Sequence, residues 1–576
     1  MSEARSPLQR FFPWLLAIVS GVLWAVSFPK WNLQVAAWIA PALILLASLV
    51  APQKPLTPAG PCWKKPFHLG RFQLGYVAGL AHYLTSLYWL LFIPHLPGAI
   101  AGWIAISLYL AVYPALWTVA CGMLLRKIQN NAPDVFLSPS EFLHRLGATP
   151  APRRLLWAFL CACAWVGWEM IVARMFTGFP WNLLGASQYR NIPLIQISSV
   201  TAVYGVSFLL VWFAVSLLCV CAAAYAHSKS PRSRDVILSP FPRLFDLAPP
   251  LLTVILVFII GFRKATAPEP SSRTLKIALV QPSIPQTLIW DRSQNAVRFQ
   301  QLIALSREAL TQKPDLLVWP EAAVPELFRY DISTAQTLQE LVREHRVHMI
   351  LGADDASPKV ESPQTYRDYN FYNSSFALDP QGNVIGSYRK RRLVMFGEYV
   401  PFLKYLPFLK YLTPIGDAGF LPGDAPNPFN LADLKTRVSV LICFEDVFPH
   451  LAREYFDGDL DLLLNLTNNG WFGESAAQWQ HGANSVFRAV ENGLPLVRCS
   501  NNGLTCWVDT SGRLYNIYYP DSRDIYGKGY KIVEVPLLPE GASRTPTFYA
   551  RHGDVFGWSC FGLTALALLR ARRKTT

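Results

Sequence analysis

The sequence predicts a fold class of two parts: a polytopic α-helical membrane domain of about eight spans, and a water-soluble α/β domain. Three observations carry this. The chain of 576 residues is 52% hydrophobic and only 16% charged, with nineteen Trp, and its mean hydropathy is +0.23. Those values describe a membrane protein that also carries a soluble part. Long apolar runs fill the first 270 residues, whereas most acidic residues lie from Glu269 onward. From about 273 to 545, short strand-like runs alternate with helical patterns, as in helix layers over sheet. We expect a membrane domain of seven helices over 1–265, the soluble domain over 270–545, and a last helix with a basic tail over 550–576.

The membrane part begins with an apolar run from about Phe11 to Phe28, preceded by Arg5 and Arg10. No small-residue cleavage site follows it, so it is expected to be a retained first span. Further spans are expected at roughly 35–51, 72–94, 98–124, 155–175, 199–225 and 248–263, and a shorter one at 555–569. Basic residues set the orientation. Connections 51–71, 125–154 and 226–247 and the tail Arg570-Ala-Arg-Arg-Lys574 are rich in Lys and Arg, while the alternate connections hold few. With eight spans, every basic loop and both termini fall on the cytoplasmic side and the soluble domain falls outside. Glu169 lies inside a span, where a carboxylate needs a polar partner. The outer loop Thr177–Gln188 carries Gly178-Phe-Pro-Trp181, a composition also found in aromatic interface belts.

The formal charge of +14 is explained by this loop distribution, so no nucleic-acid partner is expected. Ten scattered cysteines, several inside apolar runs, show no paired-ligand spacing. Neither a disulfide framework nor a metal site is readable.

In the soluble part, strands are expected at Leu275–Gln281, Asp315–Trp319 and Val347–Gly352, with helices over about 293–312 and 333–346 between them. Phe371–Leu378 and Val384–Tyr388 flank Asp379-Pro-Gln-Gly382, a hairpin signal. A β-branched run from Val438 to Ile442 ends on Cys443, and strands at 460–466, 495–499 and 505–509 follow, with a helix near 475–492.

Three reactive groups fall at strand ends. Cys443 closes the Val438 strand, which would hold a thiol rigid yet accessible. A lone cysteine is more often structural. Glu321, in Pro320-Glu321-Ala-Ala-Val-Pro325, follows the second strand, although an acid beside prolines is usually a turn residue. Lys390 follows the hairpin in Tyr388-Arg-Lys-Arg-Arg-Leu-Val-Met-Phe-Gly-Glu398, where four consecutive basic residues also suit a solvated patch. Together a carboxylate, an amine and a thiol can make a nucleophilic site: Glu takes the thiol proton, Cys attacks a carbonyl, and Lys steadies the oxyanion. The covalent route needs no cofactor.

In order and context these three residues resemble the Glu-Lys-Cys triad of the nitrilase superfamily. Other stretches resemble its membrane-embedded branch, the apolipoprotein N-acyltransferases: Gly178-Phe-Pro-Trp181, Val280–Gln286 with Trp290, Asn465-Leu-Thr-Asn-Asn-Gly-Trp-Phe-Gly473, Arg488–Asn492 and Tyr549–Asp554. The resemblance implies an α-β-β-α sandwich on the periplasmic side of a bacterial inner membrane. It also implies a ping-pong reaction: Cys443 would take an acyl chain from a phospholipid as a thioester, then pass it to the α-amine of a diacylglyceryl-cysteine on an apolipoprotein. Glu321 would be the base and Lys390 the oxyanion partner, with Glu398 orienting Lys390. Glu445 and Phe444 flank the nucleophile, Trp290 lies near the substrate route, and Asn373 and Trp471 complete the supporting set. The chain departs from the family's usual pattern at Phe444 (often Tyr), Met395 (usually Pro) and Asn469 (usually Asp).

The repeat Pro401-Phe-Leu-Lys-Tyr-Leu406, Pro407-Phe-Leu-Lys-Tyr-Leu412 suits an interfacial segment that guides lipid. Two alternatives are a membrane-anchored amidase acting on small amides, and a transporter or receptor with an outer binding domain. Sparse intramembrane charge counts against the latter.

Overall fold

In the computed structural model, the described residues are 7–50, 69–130, 138–229, 244–268, 271–413, 415, 419–456, 458–520 and 524–572. The chain forms two compact units, one from Met1–Tyr88, Trp103–Arg263 and Asp554–Thr576, the other from Trp89–Gly102 and Lys264–Gly553.

Helices α1 (Pro7–Val26), α2 (Ala40–Leu49), α3 (Leu69–Ser86), α4 (Leu96–Ile128), α5 (Pro139–Ala148), α6 (Ala151–Val172), α7 (Val203–Ser228) and α8 (Ala248–Thr266) precede the α/β part, and a last helix covers Val555–Arg572. Every expected apolar run contains a helix. Among the described residues, however, length and composition single out four helices that can cross a membrane, α4, α6, α7 and α8, rather than eight. The apolar part of the first helix covers Phe11–Val26. The run at 35–51 is broken into a 3₁₀ turn, Gln34–Trp38, and the ten-residue α2 with a Pro in its first turn. At 1.5 Å per residue α2 spans about 15 Å, half of the ~30 Å hydrocarbon layer. The basic connections 51–71 and 226–247 lie largely outside the described residues, as does the end of the basic tail.

Glu169 on α6 is engaged locally through one of its two oxygens. One oxygen accepts hydrogen bonds from Trp165 Nε1 at 2.9 Å, Leu184 N at 2.9 Å and Ser207 Oγ at 3.1 Å. It therefore ties the 177–188 loop to α6 and α7. Trp181 of that loop is buried rather than spread on a surface.

The α/β unit contains strands β1 (Arg273–Gln281), β2 (Leu316–Val318), β3 (His348–Pro358), β4 (Tyr369–Leu378), β5 (Val384–Arg389), β6 (Phe429–Leu431), β7 (Thr436–Ile442), β8 (Leu462–Thr467), β9 (Leu496–Ser500), β10 (Cys506–Val508), β11 (Leu514–Tyr515) and β12 (Gly529–Leu537). Among the described residues they form two six-stranded sheets, ordered β12-β1-β2-β3-β4-β5 and β11-β10-β9-β8-β7-β6. In each, three parallel strands (β1–β3, β7–β9) are flanked by antiparallel neighbours. Helices α9 (Asn295–Leu310) and α10 (Ile332–His345) cross over between parallel strands of the first sheet, and α11 (Ala477–Asn492) does so in the second. The architecture is an α-β-β-α sandwich.

Local chemistry sets these boundaries. Asp331 caps α10 by accepting from Thr334 N at 2.7 Å, and Arg346 ends it in the left-handed region. Phe299, Leu302, Ile303, Ser306, Ala309 and Leu310 form the buried face of α9, and Trp319 at the end of β2 donates to Ser306 Oγ at 2.8 Å. Between the sheets, Cys499 Sγ on β9 donates to the carbonyls of Val280 and Val318 at 3.4 and 3.5 Å. That thiol is part of the packing.

The structure adds β12, β6 and β11 to the expected strands and runs β3 on to Pro358. Strand β12 is half-buried over Gly529–Ile532, buries every other residue from Val533 to Leu537, and carries Pro536 and two charged residues, a weak strand signal in isolation.

Candidate active site

The three candidate groups all sit just beyond the C-terminal ends of strands. Glu321 follows β2 after Trp319 and Pro320. Gly352 lies against it on β3, where an added Cβ would come within 2.7 Å of Glu321 Cα, so only glycine lets the two backbones approach this closely. Lys390 directly follows β5, and its N–H donates to Asn373 O on β4 at 2.8 Å. Cys443 directly follows β7 at φ +51° and opens a 3₁₀ turn, Cys443–Val447. A non-glycine residue held in this region marks a position over-determined by its surroundings.

The groups converge. Glu321 Oε1 accepts from Lys390 Nζ at 3.0 Å and from Asn373 Nδ2 at 2.8 Å, while its Oε2 accepts from Asn468 N at 2.8 Å. The Cys443 thiol lies close enough to the same carboxylate and to Thr467 for both to act on its titration. Lys390 Nζ also donates to Glu398 Oε1 at 2.9 Å, as does Asn373 Nδ2 at 2.7 Å, and Glu398 Oε2 accepts from Val394 N at 2.7 Å. Glu321, Lys390, Glu398, Asn373 and Cys443 are all buried.

Electrostatics sort the protons. Burial pushes the Cys443 thiol up from 9.0 to about 12, and the Glu321 charge adds to this against an opposing pull from Lys390. Burial works to raise the Glu321 carboxyl too, but Lys390 and hydrogen bonds from Asn373 and Cys443 hold it below 4.5. Burial opposes the Lys390 charge, and Glu321, Glu398 and Cys443 overcome it, raising the ammonium well above 10.5. The resting site is thus a neutral thiol, a carboxylate and an ammonium. Such a thiol needs a base at the moment of attack.

Glu445 is fully buried and does not reach this cluster by any hydrogen bond. It accepts from Ile442 N at 2.7 Å, Arg391 N at 2.7 Å, Arg392 N at 3.1 Å and Tyr388 Oη at 2.8 Å. It brackets the segment bearing Lys390 to the turn bearing Cys443. Phe444 packs edge-on against Phe448 at 5.0 Å between ring centres. Trp290 and Trp471 meet edge-on at 5.2 Å, with Trp290 partly exposed. In the repeat, Phe402, Tyr405, Leu406, Phe408 and Tyr411 are all exposed.

The sequence reading missed the support behind the nucleophile. The Cys443 carbonyl accepts from Asn465 Nδ2 at 3.1 Å and lies 3.1 Å from His481 Nε2. His481 Nε2 is also 2.6 Å from Asp446 Oδ1, and Asp446 Oδ2 takes Arg498 Nη1 at 2.6 Å and Ser485 Oγ. The available signal was an Asp three positions after Cys443, a His within the polar run of α11 and an Arg in the otherwise apolar β9. Among the described residues no group of three or more His, Cys, Asp or Glu is arranged to hold a metal ion.

The sandwich identifies the class of protein: residues 276–528 match the carbon-nitrogen hydrolase family, to which nitrilase-superfamily enzymes belong. Residues 20–216 match the apolipoprotein N-acyltransferase N-terminal domain. The chain belongs to the apolipoprotein N-acyltransferase family. It is 36% identical over 573 residues to the apolipoprotein N-acyltransferase of Geobacter metallireducens, covering 98% of this chain and 96% of that one. Those of Rickettsia prowazekii (29% over 490 residues, 84% and 86%) and Chlorobaculum tepidum (28% over 583 residues, 98% and 97%) are also similar.

Proposed function

We propose that the chain N-acylates the diacylglyceryl-cysteine at the N-terminus of apolipoproteins, using a phospholipid as acyl donor and Cys443 as the acyl carrier. The observation that carries this is the buried Glu321 carboxylate, which accepts from the Lys390 ammonium at 3.0 Å and whose charge acts on the Cys443 thiol. Glu321 takes the thiol proton as Sγ attacks the phospholipid ester carbonyl, and Lys390 holds the oxyanion. Glu321 then returns the proton to the departing alkoxide, which leaves as lysophospholipid. The thioester so formed is open to an amine, and two bulky lipids use one site in turn. Glu398 and Asn373 fix Lys390 and Glu321, and Trp290 with Trp471 line the approach for substrate. The helical part crosses the bacterial inner membrane eight times, α4, α6, α7 and α8 unaided, and α1, α2, α3 and the last helix with their flanking residues, while α5 stays on the cytoplasmic side. Both termini are cytoplasmic and the 270–545 domain is periplasmic.

The test is incubation of purified protein with phospholipid vesicles, followed by mass spectrometry of the Cys443 peptide. A fatty acyl adduct that clears on adding a diacylglyceryl peptide, and is absent in Cys443→Ala, is expected. An adduct that forms with small amides and never with phospholipid would favour an amidase. No adduct on folded protein would sink the acyl-enzyme reading.

A further inference from the structure

Amine transfer from a thioester differs from acyl capture in its proton balance. Capture consumes an ester and a thiol and yields a thioester and an alcohol, with no net proton. Transfer begins with an ammonium, since a free α-amine has a pKa of roughly 8. It ends with an amide, a restored thiol and one proton over. Glu321 can carry one proton from the attacking nitrogen to Sγ, which leaves the ammonium's other proton without an outlet.

Resting on the acyl-enzyme reading, we propose that Asp354 is that outlet: it takes the proton that the acceptor ammonium must lose before attack. Asp354 lies on β3 directly across from Asn373 on β4, so the two side chains project from the same face. Asn373 is the residue whose Nδ2 bridges Glu321 and Glu398, which ties Asp354 to the site. Its neighbour Asp355, facing the opposite way, is ion-paired to Arg329 and Arg389 at 3.1 and 2.9 Å. Among the described residues no hydrogen bond or ion pair reaches the Asp354 carboxyl, and the residue keeps partial exposure.

Two further observations fit a carboxyl that gains a proton. Asn373 Oδ1 is buried and accepts no hydrogen bond, leaving an acceptor on the face where a protonated Asp354 has a donor to offer. The charges that act on Asp354 are those of Glu398 beyond β5 and Glu321 beyond β2. With Asp354 itself that makes three carboxyls, and the one ammonium of Lys390 is already bonded to Glu321 and Glu398. Desolvation first, then the charges of Glu398 and Glu321, raise the Asp354 carboxyl to about 7. It can therefore accept a proton from an α-ammonium and release it to solvent near neutral pH.

Single-turnover assays on the full-length Asp354→Asn and Asp354→Ala variants test this. Acyl-enzyme formation from phospholipid should match wild type. Discharge to a diacylglyceryl peptide should slow by at least about tenfold, most severely between pH 7 and about 8, where Asp354 is a carboxylate and the amine is still largely an ammonium. Discharge to hydroxylamine, largely uncharged at neutral pH, should proceed at the wild-type rate. Equal slowing with both nucleophiles, or slowed acylation, would overturn the role of Asp354 alone. Absence of any adduct on the wild-type chain would overturn it together with the reading on which it rests.

Discussion

Arg498 donates to Asp446 at 2.6 Å with both side chains wholly buried, one residue-pair away from the nucleophile that neither touches. Asp446 follows Cys443 by three positions, and its other oxygen engages His481, which reaches the Cys443 carbonyl. Burial alone would raise the Asp446 carboxyl, but His481 and Arg498 hold it below 3.8. Stability from this pair is therefore present above pH 3.8 and lost as pH falls through the lowered value.

Removing Arg498 leaves a buried carboxylate short of its cation. Arg498→Met should cost about 3–5 kcal/mol, seen as a marked drop in the apparent melting temperature of the solubilised protein. An unchanged melting temperature would mean that the pair contributes nothing net.

The triad should fail in graded fashion. Glu321→Gln keeps the shape but removes the base, and Cys443 acylation should slow by roughly 10²–10⁴-fold. Lys390→Met should slow it by about 10²–10³-fold through loss of oxyanion stabilisation. Quench-flow mass spectrometry of the thioester measures both.

With its thiol raised to about 12, Cys443 should react slowly with iodoacetamide at neutral pH. Its alkylation rate should climb close to tenfold per pH unit between pH 8 and 10 without levelling. A plateau near pH 7 would instead reveal a preformed thiolate. The sign for stability runs the same way: the thiol's contribution is complete below pH 9.0 and fades as pH rises toward the folded value.

Glu445→Gln presents an amide to backbone N–H groups of Ile442, Arg391 and Arg392 that all require acceptors. A loss of about 1–3 kcal/mol is expected, together with slower acylation, because the Lys390 and Cys443 segments lose their common anchor. Thermal melts and single-turnover rates, compared on the same preparation, check the pairing of the two effects.

The exposed aromatic repeat should act on lipid entry rather than chemistry. Replacing Phe402, Leu406 and Phe408 with serine should slow acylation from vesicles severalfold while leaving iodoacetamide alkylation of Cys443 unchanged. Equal acylation rates would remove the segment from the lipid route.

The sequence made Glu321, Lys390 and Cys443 legible because each follows its strand within a few residues and keeps a distinctive local context. Their partners were hidden for physical reasons. Asn468 acts through a backbone N–H, which has no residue signature, and Glu321 lies 147 positions away from it. His481 and Arg498 matter only once α11 and β9 have packed against the 443–447 turn. Asp354 gains meaning from its register with Asn373, which no one-dimensional pattern reports. Glu445 is expected beside Cys443, and its carboxylate accepts from the backbone of Ile442, Arg391 and Arg392, a bracing that the sequence does not display. Apolar composition located the helices but not the break before α2, which depends on where the backbone turns.

The candidate catalytic groups are divided between the two sheets. Glu321 and Lys390 extend from the first, and Cys443 from the second. Neither half of the domain holds both a nucleophile and a base. The thiol consequently remains inert until the sandwich has closed and Glu321 has met it. On the proposed topology, in which this domain folds after crossing a membrane, reactivity becomes a proof of completed assembly. It also predicts that two separately made halves, each silent alone, would regain acylation only on docking.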